Sequence, residues 1–438
     1  MLNPEFKRNL WLQFSLHRLV ATPILLALVF LAIQISGMVG ELPKAGRILF
    51  IGIVWLWGTR NATSSIADEL RDKTWDQQRM SALQPWAMTW GKLFGATSFN
   101  WYGGIICLLV ILVTEFLTTV SLSERTPMLS MIAMGILMHA AAMAASVHIG
   151  IDKTIIQRGG ISWCIVAMGL FARSWLAQLS SNTIVWWHMP YDRHSFLLAS
   201  SLGFAVIAVF AAWRTMSNAL QVRTIPWAWP LFACLFSLYC AGFYINAAMS
   251  HFLRIGLMVA MTMTYAALFS ESHAISIWQR IVVRIQTRNW RGVVEQLPIS
   301  ITTVVLTFSF AVASFFVLPS FQQNNIQGIG QGLLDRVPGG RYLPIMMAFM
   351  LLRDVLVFLF FAFSFNPKRV VTTTLLYLVI INGLLPFLAK AMNLDTLAYF
   401  FVPFYSLHAG SIIIMIAQVA IAGALVVWQW SIQLKTNT

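Results

Sequence analysis

Charge is scarce in this sequence: Asp, Glu, Lys and Arg make up 10% of 438 residues, against 58% hydrophobic residues. Soluble domains carry roughly 25% charged residues, so a water-soluble globular fold is excluded. Cysteine is rare too. Cys107, Cys164, Cys234 and Cys240 all fall in apolar runs without a C-x-x-C pair or a neighbouring histidine. That pattern argues against a thiolate zinc site and reads as small buried hydrophobes, so no metal or cofactor is expected. The chain has no G-x-x-x-x-G-K-[ST] loop to cradle nucleotide phosphates, and neither G-x-S-x-G nor H-E-x-x-H occurs. No long polar stretch leaves room for a soluble catalytic domain. The chain is therefore read as a non-enzyme.

What is present is a series of long apolar runs, at 19–39, 46–66, 93–118, 128–150, 160–180, 194–214, 226–247, 250–270, 299–318, 344–365, 370–390 and 403–431. A hydrocarbon core of about 30 Å needs about 20 apolar residues per helical span. The expected fold is an all-α polytopic membrane protein of about 12 transmembrane helices. An even count puts both termini on one side. With cytoplasmic termini, the inside segments collect Lys7, Arg8, Arg18, Arg71, Lys73, Arg79, Lys92, Arg280, Arg284, Arg288 and Arg291 among others, and the outside keeps Lys44, Arg47, Arg125, Arg193, Arg336, Arg341 and Lys390. The net charge of +14 is then a topology signal and not a nucleic-acid footprint. No nucleic-acid partner is expected.

The first run is long and lacks a small-residue cleavage pattern, so it is not read as a signal peptide. Before it, Asn3 and Pro4 suit a helix start, and Phe6, Leu10 and Phe14 recur every four residues with Lys7, Arg8 and Arg18 elsewhere around the helix. This predicts an amphipathic helix lying in the cytoplasmic lipid interface.

Two cytoplasmic connectors, at 68–92 and 271–298, each join the second and third spans of a six-span half. Trp75 leads to Pro85 in the first and Trp290 to Pro298 in the second; the outer loops around Pro190 and Pro403 follow each connector proline after the same 105 residues. Two parallel repeats of six spans are expected, 1–220 and 221–438, and such repeats place substrate paths between halves.

The first connector, DELRDKTWDQQRMSALQPWAMTWGK, holds Asp68, Glu69, Arg71, Asp72, Lys73, Asp76, Arg79 and Lys92 with Trp75, Trp86 and Trp90 among them. A solvated loop needs no aromatics, and an anionic lipid surface would repel its four acids. Mixed charge with aromatic and Arg anchors points to a protein partner. In the order Glu69, Thr74, Trp75, Asp76, Ser81, Leu83, Pro85, Gly91, Lys92, the stretch resembles the coupling segment of ABC-2-type exporter membrane subunits, with Lys73 where that family usually has glycine.

The resemblance implies a permease of the bacterial inner membrane that exports a substrate with energy from a separate ATP-binding-cassette ATPase docked on this segment. Glu69, Thr74, Trp75, Asp76, Arg79, Pro85 and Lys92 would be its coupling residues, with Trp290 and Pro298 at the second connector. That connector lacks the Glu-x-x-x-x-Thr and Gly-Lys parts. Family subunits usually have six spans and pair, so either one chain serves two ATPase subunits or copies self-associate. The remaining partner is membrane lipid.

Polar residues inside the spans carry two readings each. Arg60 and Asn61 either line a path for an anionic headgroup or sit at a helix end paired with Asp68 or Glu69. Arg353 and Asp354 either pair across helices or serve the pathway, and Arg173 raises the same question. His139 and His148 lie on an Ala- and Met-rich span that suits close helix packing. Two rivals stand beside the permease. One is a secondary transporter or flippase of two six-helix halves, although the first connector lacks the glycines of the major-facilitator loop. The other is a membrane-embedded transferase, against which His148 and Asp152, like His188 and Asp192, stand one residue too close for the acyltransferase H-x4-D pair.

Overall fold

The computed structural model describes residues 3–72, 74–81, 83–117, 126–149, 169, 183–222, 227–244, 248–271, 275–317, 342–364, 370–394, 397, 400–401 and 410–436. Among them, nine helices are long and apolar enough to cross a membrane: Leu16–Ile35, Ser98–Glu115, Pro127–Val147, Arg193–Ala219, Met249–Phe269, Ile299–Val317, Tyr342–Ala362, Val370–Ala391 and Ile412–Gln433. The chain is thus a predominantly helical, multi-pass membrane protein. Each of the nine falls on one expected span.

Of the other three expected spans, one lies outside the described residues and two came out differently. The run at 160–180 lies outside the described residues apart from Gly169. At 226–247 the structure has a 14-residue helix, Ala228–Ala241, which at 1.5 Å per residue is about 21 Å long and too short to cross alone. The run at 46–66 is helical throughout but irregular: α-helix Leu42–Phe50 passes into a π-helical stretch Ile51–Gly58 and then into α-helix Thr59–Arg71. Among the described residues, the exception to an all-α chain is a hairpin of Thr183–Trp186 and Met189–Asp192, turned by Trp187 and His188, both at positive φ. Two central residues of that kind make the tight turn that follows the strands' own twist.

The chain divides into two compact units, Met1–Val185 with Met189–Thr224, and Trp186–His188 with Ile225–Thr438. In the first, Leu26, Phe30, Phe50, Val54, Trp55, Cys107, Met131 and Met138 form one core cluster. A second gathers Ile66, Trp75, Met88, Leu93, Ala140, Met143, Ala208, Ala212 and Met216. Alanines on Thr126–Ile149 and Arg193–Ala219 let these two helices approach closely, which matters where lipid offers no hydrophobic drive for association. In the second unit, Leu253, Leu257, Ala260, Val304, Phe310, Leu343, Met347, Leu351 and Phe358 build the core. There Gly256 lies directly beneath Phe310, where a Cβ would come within 2.5 Å of the ring.

Candidate functional site

The N-terminal helix Pro4–Gln13 starts as its residues dictate, with Asn3 capping Glu5 N–H and Pro4 in the first turn. Its packing differs from the amphipathic reading. The face turned inward carries Glu5 and Asn9, both buried, while Trp11, Leu12 and Leu16 are exposed. The reason lies in helix Pro85–Gly95, where Gly91 and Gly95 form a groove one turn long. A Cβ on Gly91 would come within 2.6 Å of Glu5 Cβ, and one on Gly95 within 2.7 Å of Asn9 Cβ. Only glycine permits this approach. The polar stripe faces protein; of the predicted apolar stripe Leu10 is exposed, while Phe6 and Phe14 are half-buried, Phe14 edge-on against Phe99 and Tyr102.

Between the glycines stands Lys92, fully buried, its Nζ 3.0 Å from Glu5 Oε1 and 2.5 Å from Glu69 Oε2. Glu69 is buried at the end of Thr59–Arg71 and also accepts from Arg8 Nη2 at 3.0 Å and Gln78 Nε2 at 2.5 Å. Arg8 Nη1 reaches Glu5 Oε1 at 3.1 Å and Asn9 Nδ2 donates to the same oxygen at 2.9 Å. Two carboxylates and two cations balance, and hydrogen bonds fill their remaining lone pairs, as a buried ion cluster requires. Burial would raise the Glu5 carboxyl, but Lys92's charge and hydrogen bond, then Arg8 and Asn9, outweigh it and hold the group below its ordinary value. Arg8 behaves as the mirror case: burial would lower it, and Glu5 and Glu69 raise it.

This cluster ties four pieces together: the N-terminal helix, the end of the second span, the short connector helix Trp75–Arg79 and the helix that leads into the third span. Trp75 adds an apolar anchor, 5% exposed in the core with Ile66 and Met88. Thr74 closes the preceding helix by donating its N–H to Glu69 O at 3.0 Å. Pro85 opens the next helix at its first position. Of the expected coupling residues, Glu69, Trp75 and Lys92 therefore point into the unit, and Asp76 faces outward, joined to Arg79 at 3.3 Å. Met80, which the sequence did not single out, is 80% exposed beside them.

Arg60 is exposed, and among the described residues no ion pair joins it to Asp68 or Glu69. Asn61 instead donates to Asn100 Oδ1 at 2.8 Å, and Asn100 Nδ2 donates to Ile53 O at 3.0 Å. His139, on helix Thr126–Ile149, meets the next carbonyl of the π stretch, its Nε2 2.8 Å from Val54 O. A carbonyl can only accept, so Nε2 carries the proton. Both partners serve backbone carbonyls of the π-helical stretch, and carbonyls at this depth need partners within the protein.

In the second unit Arg353 and Asp354 are both buried and bonded to each other, with Arg353 Nη2 2.8 Å from Asp354 Oδ1. Three further elements close around the pair. Tyr265 OH donates to Asp354 Oδ2 at 2.8 Å, Asn382 contacts both partners, and Arg353 Nη1 donates to Gln418 Oε1 at 2.7 Å and to Phe401 O at 3.2 Å. Asn382 belongs to a second π-helical stretch, Ile380–Leu384. Tyr265, Asn382 and Gln418 escape sequence reasoning because lone polar residues in apolar runs carry no periodic signal.

The second connector folds as helix Ile275–Gln286 and helix Trp290–Gln296. Trp290 is 63% exposed and Pro298 half-buried. Glu271 spans its base, accepting Ile299 N–H at 2.7 Å and Ser300 N–H at 3.2 Å. Burial raises the Glu271 carboxyl, and these backbone bonds only partly oppose it. Arg173, Cys164 and Pro403 lie outside the described residues. Among the described residues no group of three His, Cys, Asp or Glu could hold a metal.

Comparison with protein-family models, with curated proteins and with solved structures gives no match for this chain.

Proposed function

We propose that this chain is the membrane-spanning permease subunit of an ATP-binding-cassette exporter, built as two parallel six-span halves in a bacterial inner membrane and driven by a separate ATPase. The observation that carries the reading is the build of the first connector. Its inner side is fixed by Trp75 and by the Glu5–Lys92–Glu69 cluster, while Asp76, Gln77 and Met80 remain outside. A partner holding the outer side would move the second span, the third span and the N-terminal helix together. Such a lever does work only when the partner favours one arrangement of the spans over another.

The test is capture of an ATPase bearing a Walker A loop by the full-length chain in mild detergent. Asp76→Lys with Met80→Glu should abolish capture while leaving insertion and thermal stability unchanged, because both side chains point away from the unit. Undiminished capture by that variant would refute docking at this face.

A second reading, a secondary transporter of two six-helix halves, is favoured by Asp354, a buried carboxylate within an apolar span and hydrogen-bonded to Tyr265. It predicts substrate flux that follows an imposed proton gradient without ATP and that Asp354→Asn abolishes.

A further inference from the structure

The two cytoplasmic connectors differ in a way that assigns them different partners. The first carries Asp68, Glu69, Asp72 and Asp76. Across 275–296 the second carries Arg280, Arg284, Arg288 and Arg291 against a single acid, Glu295, which is engaged by Arg291 at 3.3 Å. We propose that the second connector lies on the bilayer surface and binds anionic phospholipid headgroups, whatever drives transport.

Three observations lead there. The first is where the connector is held. Its chain leaves the membrane after helix Ala248–Ser270 and re-enters at Ile299, and Glu271 binds the Ile299 and Ser300 N–H groups, so both ends are clamped at one level beside the bilayer. Trp278 packs edge-on against Phe363 at 6.2 Å and Ile281 is buried, which seats one side of the first connector helix on the second unit. A helix of 12 residues is about 18 Å long and stays near the surface from which it starts.

The second observation is shape. Arg284 Nη1 donates to Gly292 O at 2.6 Å, and Asn289 Oδ1 accepts Gly292 N–H at 3.0 Å. Asn289 N–H also reaches Arg284 O at 2.9 Å. The two short helices are thereby fixed as one compact hairpin, with Arg284 used internally.

The third is what the hairpin leaves uncovered. Val282, Val283, Ile285, Trp290 and Val294 are all exposed, and so are Arg280, Arg288 and Arg291. Aliphatic side chains with one tryptophan and cations alone on the polar side form the pattern of a helix that sinks its apolar stripe to the acyl boundary and pairs its guanidinium groups with phosphate. Arginine stems can run along the apolar strip and place their heads at phosphate depth. The first connector, with four acids against Arg71, Lys73, Arg79 and Lys92, lacks this one-sided charge.

The test uses the full chain in nanodiscs and follows hydrogen–deuterium exchange of residues 275–296. Nanodiscs of phosphatidylcholine alone are compared with nanodiscs containing roughly one-third phosphatidylglycerol. Anionic discs should slow exchange in this segment by roughly thirtyfold, equivalent to about 1 kcal/mol for each of Arg280 and Arg288, the exposed cations that Glu295 does not engage. High salt should erase the difference, as should Arg280→Gln with Arg288→Gln and Arg291→Gln. Peptides from 299–317 serve as the internal control and should not change. Equal exchange in the two discs would overturn the proposal. So would protection that appears in both discs only when a co-purified ATPase is added, since that outcome makes the segment a protein-docking surface.

Discussion

Replacing Lys92 by Met would test the ion cluster directly. Methionine keeps an unbranched apolar stem of similar bulk, one atom shorter, and removes the ammonium group. Lys92 is 0% exposed and contacts two buried carboxylates, so the variant would leave Glu5 and Glu69 facing each other with Arg8 as their remaining cation. Arg8 is 43% exposed, and water weakens its compensation. Removing one partner of a buried pair costs about 3–5 kcal/mol, and that loss should appear in denaturant or thermal unfolding of the purified chain and in earlier proteolytic release of the N-terminal helix.

The pH dependence gives a second signature. In the parent, the folded-state pKa of Glu5 lies below its ordinary value of 4.5. Its stabilising contribution is therefore complete above that value and is lost as pH falls through the lowered one. Without Lys92 the main lowering influence is gone and burial, which raises the group, dominates; the folded state then binds the proton more tightly than the unfolded one, and acid should stabilise the variant. Glu5→Gln combined with Lys92→Met should recover part of the loss. A Lys92→Met chain within about 0.5 kcal/mol of the parent, with the parent's pH slope, would refute the reasoning.

Three further substitutions probe the packing and the polar nodes. Gly91→Ala should push the N-terminal helix away, because the new Cβ meets Phe6 N as well as Glu5; a loss of about 1–3 kcal/mol is expected for such overpacking, read as earlier proteolysis of residues 4–13. Arg353→Met and Asp354→Asn should each destabilise the second unit, by about 3–5 kcal/mol for the arginine, and the double variant should cost less than the sum of the two in the same unfolding assay. His139→Leu should cost about 1–3 kcal/mol, because the Val54 carbonyl loses its donor in a buried place.

The spans were legible in the sequence because length and hydropathy are local properties. The inward face of the N-terminal helix was not. Periodicity at Phe6, Leu10 and Phe14 marks one stripe of the helix, but which stripe is buried depends on a partner: Lys92 stands 87 residues from Glu5. The Gly91-x-x-x-Gly95 spacing was the available signal. For the same reason Glu69 and Lys92 read as coupling residues of a partner-facing segment: sequence shows that charge is dense there, and only the fold shows which charges cancel one another. Trp75 illustrates the point from the apolar side, since an aromatic among charges can equally be an anchor for a partner or, as here, a plug into its own core.

The intramembrane polar residues follow a rule that the helix irregularities make visible. In water a carbonyl released by a π-helical turn finds solvent; within apolar spans it needs a protein donor or carries an energetic penalty. Asn100 and His139 are placed one residue apart in their targets, Ile53 O and Val54 O, which accounts for two polar side chains that would otherwise suggest chemistry. The second π stretch works in the opposite direction. Asn382 is carried on the irregular segment itself and reaches Asp354 through Nδ2 at 3.1 Å and Arg353 through Oδ1. There the break in the helix aims a side chain at a buried ion pair. Asn100 and the Nε2 of His139 are accounted for by the carbonyls they serve, while His139 Nδ1 is buried without a hydrogen-bond partner among the described residues; the Arg353–Asp354 node holds paired charges that no backbone irregularity requires. The transport measurements that separate ATP-driven export from proton coupling therefore start at Asp354, the buried carboxylate.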